Sequence, residues 1–319
     1  MARLARTLPT AGVFTLILLL AVVLAGCGNN GQVPLKYEFK AGDAYAFDLA
    51  ITLNGRIRGP GIPAEQTQAM KDLGMKMRAS WQVNDVTGGV ATVTYRYENL
   101  EMTQEGRPVG DKLPALPDVT VKMDKTGKVL SVQGLEGMMP PGLSGAEGLP
   151  FDPSQFSSQT NIVFPAAGLA KPGDEWSAES SFVVPGTGQQ VTATTKARLV
   201  SVEKLEGREL ATVDFSQNVP LDLTLDLAAM LAELGLNKTM PPGNNPKDLA
   251  LTMTMKGEES FKGTTKVATE NGVPESLTGD LKVNMVLEIT EAPANMVPPD
   301  QRGPFTIDMT ATLTMTQVR

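Results

Sequence analysis

The sequence has no histidine, a single cysteine at position 27, and aromatic residues at only 5% of its 319 positions. Without histidine there is no imidazole base, no Ser-His-Asp or Cys-His triad, and no zinc site built on imidazole ligands. One cysteine allows no internal disulfide. Basic residues are in the minority, 28 Lys+Arg against 35 Asp+Glu for a net charge of −7, which disfavours non-specific capture of nucleic acid or anionic headgroups. No phosphate loop of the G-x-x-x-x-G-K-[ST] type, no G-x-S-x-G elbow and no EF-hand loop occurs. What is present, 41% hydrophobic residues, suffices for one or two packed domains. The absences point to a protein that is not an enzyme and uses neither cofactor nor metal.

The apolar run at the start, Ala11 to Ala25, is about 15 residues long and falls short of the roughly 20 a spanning helix needs. Arg3 and Arg6 precede it, and Leu24-Ala25-Gly26 close it directly before Cys27. A charged start, a short apolar middle and small residues at the end are the parts of a secretory signal. The Leu-Ala-Gly-Cys sequence resembles the lipobox of bacterial lipoproteins, which implies cleavage between Gly26 and Cys27 and a diacylglyceryl group on the Cys27 thiol. An anchor with two or more acyl chains holds stably where one does not. Loss of residues 1–26 leaves 26 basic against 35 acidic groups, net −9. The body is thus expected on the extracytoplasmic face of a cell membrane, held by lipid rather than by charge. Gly28 to Pro34 reads as a flexible tether, roughly 20 Å even when extended.

From Leu35 onward the pattern is alternation, the period-2 signal of strands with one buried face. Tyr45, Phe47, Leu49, Ile51 and Leu53 share a face, as do Met75, Met77, Ala79, Trp81 and Val83. Val93, Tyr95 and Tyr97 follow a Thr87-Gly88-Gly89 turn, and Val119, Val121 and Met123 precede an Asp124-Lys125-Thr126-Gly127 turn. Further strands are expected at 191–202, 210–215, 249–255, 281–289 and 305–318. The expected fold is mainly β, an antiparallel curved sheet or half-barrel, joined by hairpins. Helix is scarce: Pro63 to Leu73 offers a short one, and Leu227, Met230, Leu231 and Leu234 offer another behind an Asp226 N-cap. A further short helix is placed near 153–160. A helix over Asp226 to Leu234 would cover the open face of a sheet.

An internal duplication is legible. Lys40-Ala41-Gly42-Asp43-Ala44-Tyr45 is echoed by Lys171-Pro172-Gly173-Asp174-Glu175-Trp176, Val90 to Val93 by Leu210 to Val213, and Gly127 with Ser131 to Gly134 by Gly272 with Ser276 to Gly279. The same order in both halves indicates two related β units, one over 35–165 with its connection and one over 166–319. They follow a signal at 1–26 and a lipidated Cys27 with tether at 27–34. Whether the units make one sheet or two bodies is open at this level. In each echoed turn Gly allows a tight backbone and Asp can bond its amides, a structural role for Gly42, Asp43, Gly173 and Asp174.

Sixteen methionines are present. The pairs Met75/Met77 and Met253/Met255 continue alternating apolar faces, so core packing is the first reading, lining for an irregular apolar ligand the second and Cu(I) binding a distant third. The lipobox, the Lys-x-Gly-Asp-x-aromatic openings, Gly127-Lys128-Val129 and the Phe164-Pro165 segment leading to Gly173-Asp174-Glu175-Trp176 together resemble a family of uncharacterised β-rich bacterial lipoproteins. The resemblance implies an extracytoplasmic β body and no known activity. The expected function is an anchored lipoprotein, with the membrane as partner through Cys27, that binds a lipid or other apolar or amphipathic ligand. The alternative is an envelope scaffold or protein-interaction module with a filled core.

Overall fold

The computed structural model describes residues 31–62, 70–109, 118–134, 163–183, 189–226, 251–292 and 297–319. The signal, Gly26 and Cys27, most of the tether, and the expected helical stretches 153–160 and 227–234 lie outside them. These residues hold fourteen strands: β1 Val33–Pro34, β2 Ala44–Arg58, β3 Met70–Thr87, β4 Val90–Gln104, β5 Arg107–Pro108, β6 Val119–Asp124, β7 Val129–Gln133, β8 Leu169–Ala170, β9 Glu175–Val183, β10 Gln190–Leu205, β11 Arg208–Asp226, β12 Thr252–Ala268, β13 Pro274–Glu291 and β14 Phe305–Val318. Among the described residues the only helical turn is the 3-10 segment Pro299–Gln301.

One expectation is corrected. Met70 to Leu73, assigned to a short helix that began at Pro63, belongs to β3, where Leu73 pairs with Leu53 across the ladder, because ladder hydrogen bonds hold the strand end where the alternation weakens. Asp226 is the last residue of β11 and pairs with Thr252, and the helix expected behind it lies outside the described residues.

All pairings are antiparallel, and the main sheet runs in the order β7-β6-β4-β3-β2-β14-β13-β12-β11-β10-β9, with β5 on β4. The C-terminal strand β14 lies between β2 and β13, pairing with both. It therefore joins the halves into one continuous sheet, which among the described residues has twelve strands and edges that do not pair with each other.

The echoed segments adopt matching geometry. Gly42 and Gly173 have φ of 95° and 96°, left-handed values that a side chain would strain. The Gly42 amide donates to the Val83 carbonyl and the Val83 amide to Asp43; likewise Gly173 donates to Leu199 and Leu199 to Asp174. Each Asp carboxylate accepts the amide of the lysine three residues earlier, Lys40 at 2.8 Å and Lys171 at 3.0 Å. Asp43 also accepts from the Tyr45 hydroxyl at 3.2 Å. Burial, then the nearby Asp43 charge, pushes the Tyr45 phenol up to about 12.

The core fills one end of the sheet. Phe47, Trp81, Val83, Val93, Val121 and Met123 from one half meet Leu199, Val213, Val267 and Leu277 from the other in one buried cluster. Leu35, Tyr37, Phe39 and Phe164 complete it. Tyr37 stacks on Phe39 at 5.0 Å and lies 5.0 Å from Phe164, while Phe47 and Trp81 are 4.5 Å apart. Residues from strands near opposite edges share this cluster, so the sheet is curved and its inner face is the apolar one. The segment at 163–164 straps the edges: the Trp176 indole N–H of β9 donates to the Val163 carbonyl at 2.7 Å, and the Phe164 amide donates to Thr126, in the β6–β7 turn, at 2.9 Å. Lys36 to Glu38 run between the two echoed hairpin turns, with the Tyr37 amide on the Lys125 carbonyl and the Glu38 amide on Asn271. A Cβ on Gly272 would run into the Lys36 carbonyl.

Candidate functional site

The long strands outrun this core. β2, β3, β4 and β10 to β14 have 14 to 19 residues each, about 45 to 60 Å at strand spacing, and the strapped core takes roughly half of that length. Beyond it the inner face continues without a break in parity. Cross-strand rows follow from the register: Leu53, Ala311, Leu281, Phe261 and Gln217; then Gly55, Met309, Val283, Glu259 and Val219; then Ile57, Ile307, Met285, Gly257 and Leu221. Phe305, Leu287, Met255 and Leu223 make a further row.

Two rings mark the boundary. Phe215 and Phe261 lie 5.3 Å apart across the paired glycines Gly263 and Gly279, where an added Cβ would come within 2.8 Å of Phe215 and 2.6 Å of Phe261. On the core side of these rings stand most of the described aromatic residues. Met75 and Met102 stand in the row of Phe215 itself, and on the far side Met253, Met255, Met285 and Met309 face inward and are half-buried. Val191, Ala193, Val219 and Leu223 form a second, smaller buried cluster there, with Leu221, Leu225 and Met255 against it. Among the described residues the methionines have two surroundings: Met123 and Met315 are buried in the aromatic core, and Met253, Met255, Met285 and Met309 lie on the inner face at the other end. Of the pairs singled out in the sequence, Met253/Met255 is at that end, while Met77 stands in the row of Met315 and Met75 in the row of Phe215.

One acid sits on this apolar face. Glu259 is between Val219 and Val283 in the ladder, and burial raises its carboxyl above the ordinary glutamate range. Diagonal to it, buried Gln217 donates its side-chain amide to the Thr195 hydroxyl at 3.2 Å. Neither was singled out as a site residue in the sequence reading, although the alternation Met253, Met255, Gly257, Glu259, Phe261 puts Glu259 on the apolar parity. That misplaced charge was the available signal.

The outer face is polar and salt-bridged. Arg78 meets Asp48 at 2.9 Å and 3.2 Å, and Arg96 meets Asp118 at 2.9 Å. Lys266 meets Glu203 at 2.6 Å. A shallow depression of about 410 Å³ here is lined by Arg56, Arg58, Lys71, Lys282 and Asp308 among others. Arg58 faces Asp308 at 4.0 Å and Lys71 faces Glu105 at 3.0 Å, all exposed, as expected of a solvated face.

Of the expected site residues, Gly42 with Asp43 and Gly173 with Asp174 stand in the two matched turns at the strapped end, and Gly26 and Cys27 are outside the described residues. No helix among the described residues is long and apolar enough to cross a membrane.

No family model and no curated protein matches the chain. Among solved structures, one described for lipid–protein interactions in lipovitellin aligns at 9% identity and a TM-score of 0.42, covering 88% of this chain and 26% of that one. The chain thus spans about a quarter of that protein's length. OmpF of Salmonella typhi in complex with daunomycin aligns at 7% identity and a TM-score of 0.26, covering 89% of this chain and 100% of that one. An outer membrane channel from Pseudomonas putida F1 aligns at 6% identity and a TM-score of 0.20, covering 88% and 97%. At these scores the likeness decides nothing about activity.

Proposed function

We propose that the chain is a lipid-anchored extracytoplasmic binding protein that holds an apolar or amphipathic molecule against the inner face of its sheet, at the end away from the strap. The observation that supports it is the stretch of half-buried Met, Leu and Ile on the inner face beyond Phe215 and Phe261. Unbranched, polarizable Met side chains adapt to irregular apolar shapes better than a fixed aromatic lining does. A purely structural sheet would have little use for apolar rows so far from its core. Cys27 lies four residues ahead of Gly31, and the chain enters the fold at the strapped end, where the Leu35 amide donates to Gly168. An anchor there leaves the methionine end free to exchange its cargo. The chemistry asked of the protein is burial and release, for which the lack of histidine is no handicap.

Two measurements test this. Intact-mass analysis of the membrane-extracted protein should show loss of residues 1–26 and a diacylglyceryl adduct, and Cys27→Ser should abolish the adduct; an unmodified thiol on an uncleaved leader overturns the anchor. Native mass spectrometry of the gently extracted protein should show a non-covalent lipid-sized adduct that Met285→Glu, which puts a charge in the apolar row, strongly reduces. Protein that is lipid-free, with an inner face that takes up no added lipid, would make it a scaffold instead.

A further inference from the structure

The large apolar side chains that the described residues leave exposed are not spread evenly. Three are leucines, Leu130 at 51% exposure, Leu169 at 47% and Leu205 at 49%, and all three stand at the strapped end. Leu130 is the second residue of β7, just past the β6–β7 turn, on the parity opposite to Val129, which packs against the core. Leu205 closes β10 at its turn into β11, where Glu206 and Gly207 take φ of 52° and 82°. Leu169 lies in the short strand β8, opposite Pro34. Val86, also exposed, stands beside the β3–β4 turn at Gly88 and Gly89. Of the other exposed apolar residues, Val200 lies part-way along β10, and Val109 and Val286 stand toward the open end. Single apolar residues on a surface need no explanation, but a group on the turns of one end marks an interaction surface.

We propose that this end seats on the bilayer that holds the anchor, with Leu130, Leu169, Leu205 and Val86 entering its headgroup region. The proposal rests on the reading that Cys27 is lipidated, and adds which surface of the body meets the membrane. The chain ahead of the fold decides the occupant. Gly28 to Pro34 spans roughly 20 Å even when extended, and Pro34 is the direct ladder partner of Leu169. A lipid on Cys27 therefore holds Leu169 within about that distance of the bilayer surface. The contacts also come from the whole width of the sheet: β7 is one edge, β10 is next to the other edge at β9, and the β3–β4 turn lies between. Points spread around a rim suit a flat lipid surface better than a protein partner, which concentrates its binding energy in one central cluster. Charge at the turns is mixed, with exposed Lys40, Lys125, Lys171 and Lys204 among Asp43, Asp124, Asp174 and Glu206. The three aspartates accept backbone amides of their own turns, and lysine stems can lie along headgroups with the ammonium in water. With the signs mixed, apolar contact carries the seating, and salt has little influence on it.

The test uses the lipidated protein extracted from membranes. Cys27 is the only cysteine, and once it is acylated a cysteine introduced elsewhere is the sole free thiol. Leu130→Cys, Leu205→Cys and Val286→Cys proteins are each labelled with an environment-sensitive fluorophore. They are reconstituted into phosphatidylcholine vesicles with and without a spin-labelled phosphatidylcholine that quenches the probe. The probe replacing Leu130 or Leu205 should be quenched severalfold more than the probe replacing Val286, which is exposed toward the open end. With the probe in place of Leu205, adding Leu130→Ser and Leu169→Ser should remove much of that quenching, and raising the salt should not. Every replaced side chain is exposed, so the fold tolerates these changes. Equal quenching at the three positions, or none in place of Leu130 and Leu205 in protein that floats with the vesicles, overturns the proposal and leaves the anchor standing. So does a blue shift in place of Leu205 that grows with protein concentration and resists the spin label, which would put a second copy on this end. Protein that does not float with the vesicles at all removes the anchor and the proposal with it.

Discussion

The two ends of this sheet are built from the same strands and differ in what they bury. At the strapped end Phe47, Trp81, Tyr95, Tyr37 and Phe164 form a rigid, close-packed core, held shut by the Trp176 and Phe164 hydrogen bonds at its edges. At the other end the same alternation continues, but methionine and branched aliphatics outnumber the rings, with Phe305 among them, and most are only half-buried. Aromatic side chains commit to one geometry, whereas methionine does not. The contrast separates the part of the molecule that makes it stable from the part left available for binding.

Stability should follow that division. Phe47 is fully buried and 4.5 Å from Trp81, so Phe47→Ala is expected to cost about 3–5 kcal/mol. Met285→Ala on the open face is expected to cost about 1 kcal/mol. Urea unfolding midpoints of the two variants measure this, and equal costs would erase the distinction between the ends. Next in size is the matched turn. Asp43→Ala and Asp174→Ala each remove a carboxylate that accepts a backbone amide and should each cost about 1–2 kcal/mol. Asp43→Ala is expected to be the larger of the two because Tyr45 also loses its acceptor. A large cost at one turn and none at the other would break the equivalence of the halves.

The smallest effect is a pH dependence at the boundary. Burial raises the Glu259 carboxyl above the ordinary range, so between the unfolded and folded pKa the native state binds more protons than the unfolded chain. Stability therefore falls as pH rises through that interval and is recovered on acidification below the unfolded value. Glu259→Gln should flatten this segment of the profile and leave the protein slightly more stable at neutral pH, by less than about 1 kcal/mol given its partial exposure. Unfolding midpoints across mildly acidic pH would show it, and a profile unaltered by the substitution would mean the carboxyl is solvated.

Much of the fold was legible in the sequence because alternation reports burial on one face directly. Phe305–Val318 was found to the residue, and the echoed Gly-Asp openings located two turns that share their bonds. The strand ends were harder to read: β11 and β12 run on well past the expected 210–215 and 249–255 through Gln217, Pro220, Gly257 and Glu259, residues of low strand propensity held by pairing on both sides. That shortfall also hid the candidate site. With the strand expected to end at Met255, the apolar parity that continues through Gly257 to Glu259 and Phe261 goes unread. The joining of the halves through β14 was not legible either, since partner choice among strands depends on topology rather than on local pattern.

Methionine methyl NMR tests the central claim most directly, because methionines stand in both regions. On titration with 1-monooleoylglycerol the methyl signals of Met255, Met285 and Met309 should shift and saturate together, while those of Met123 and Met315 in the aromatic core stay in place. Saturable shifts confined to Met123 and Met315, or no saturable shift at any of the five, would contradict the account.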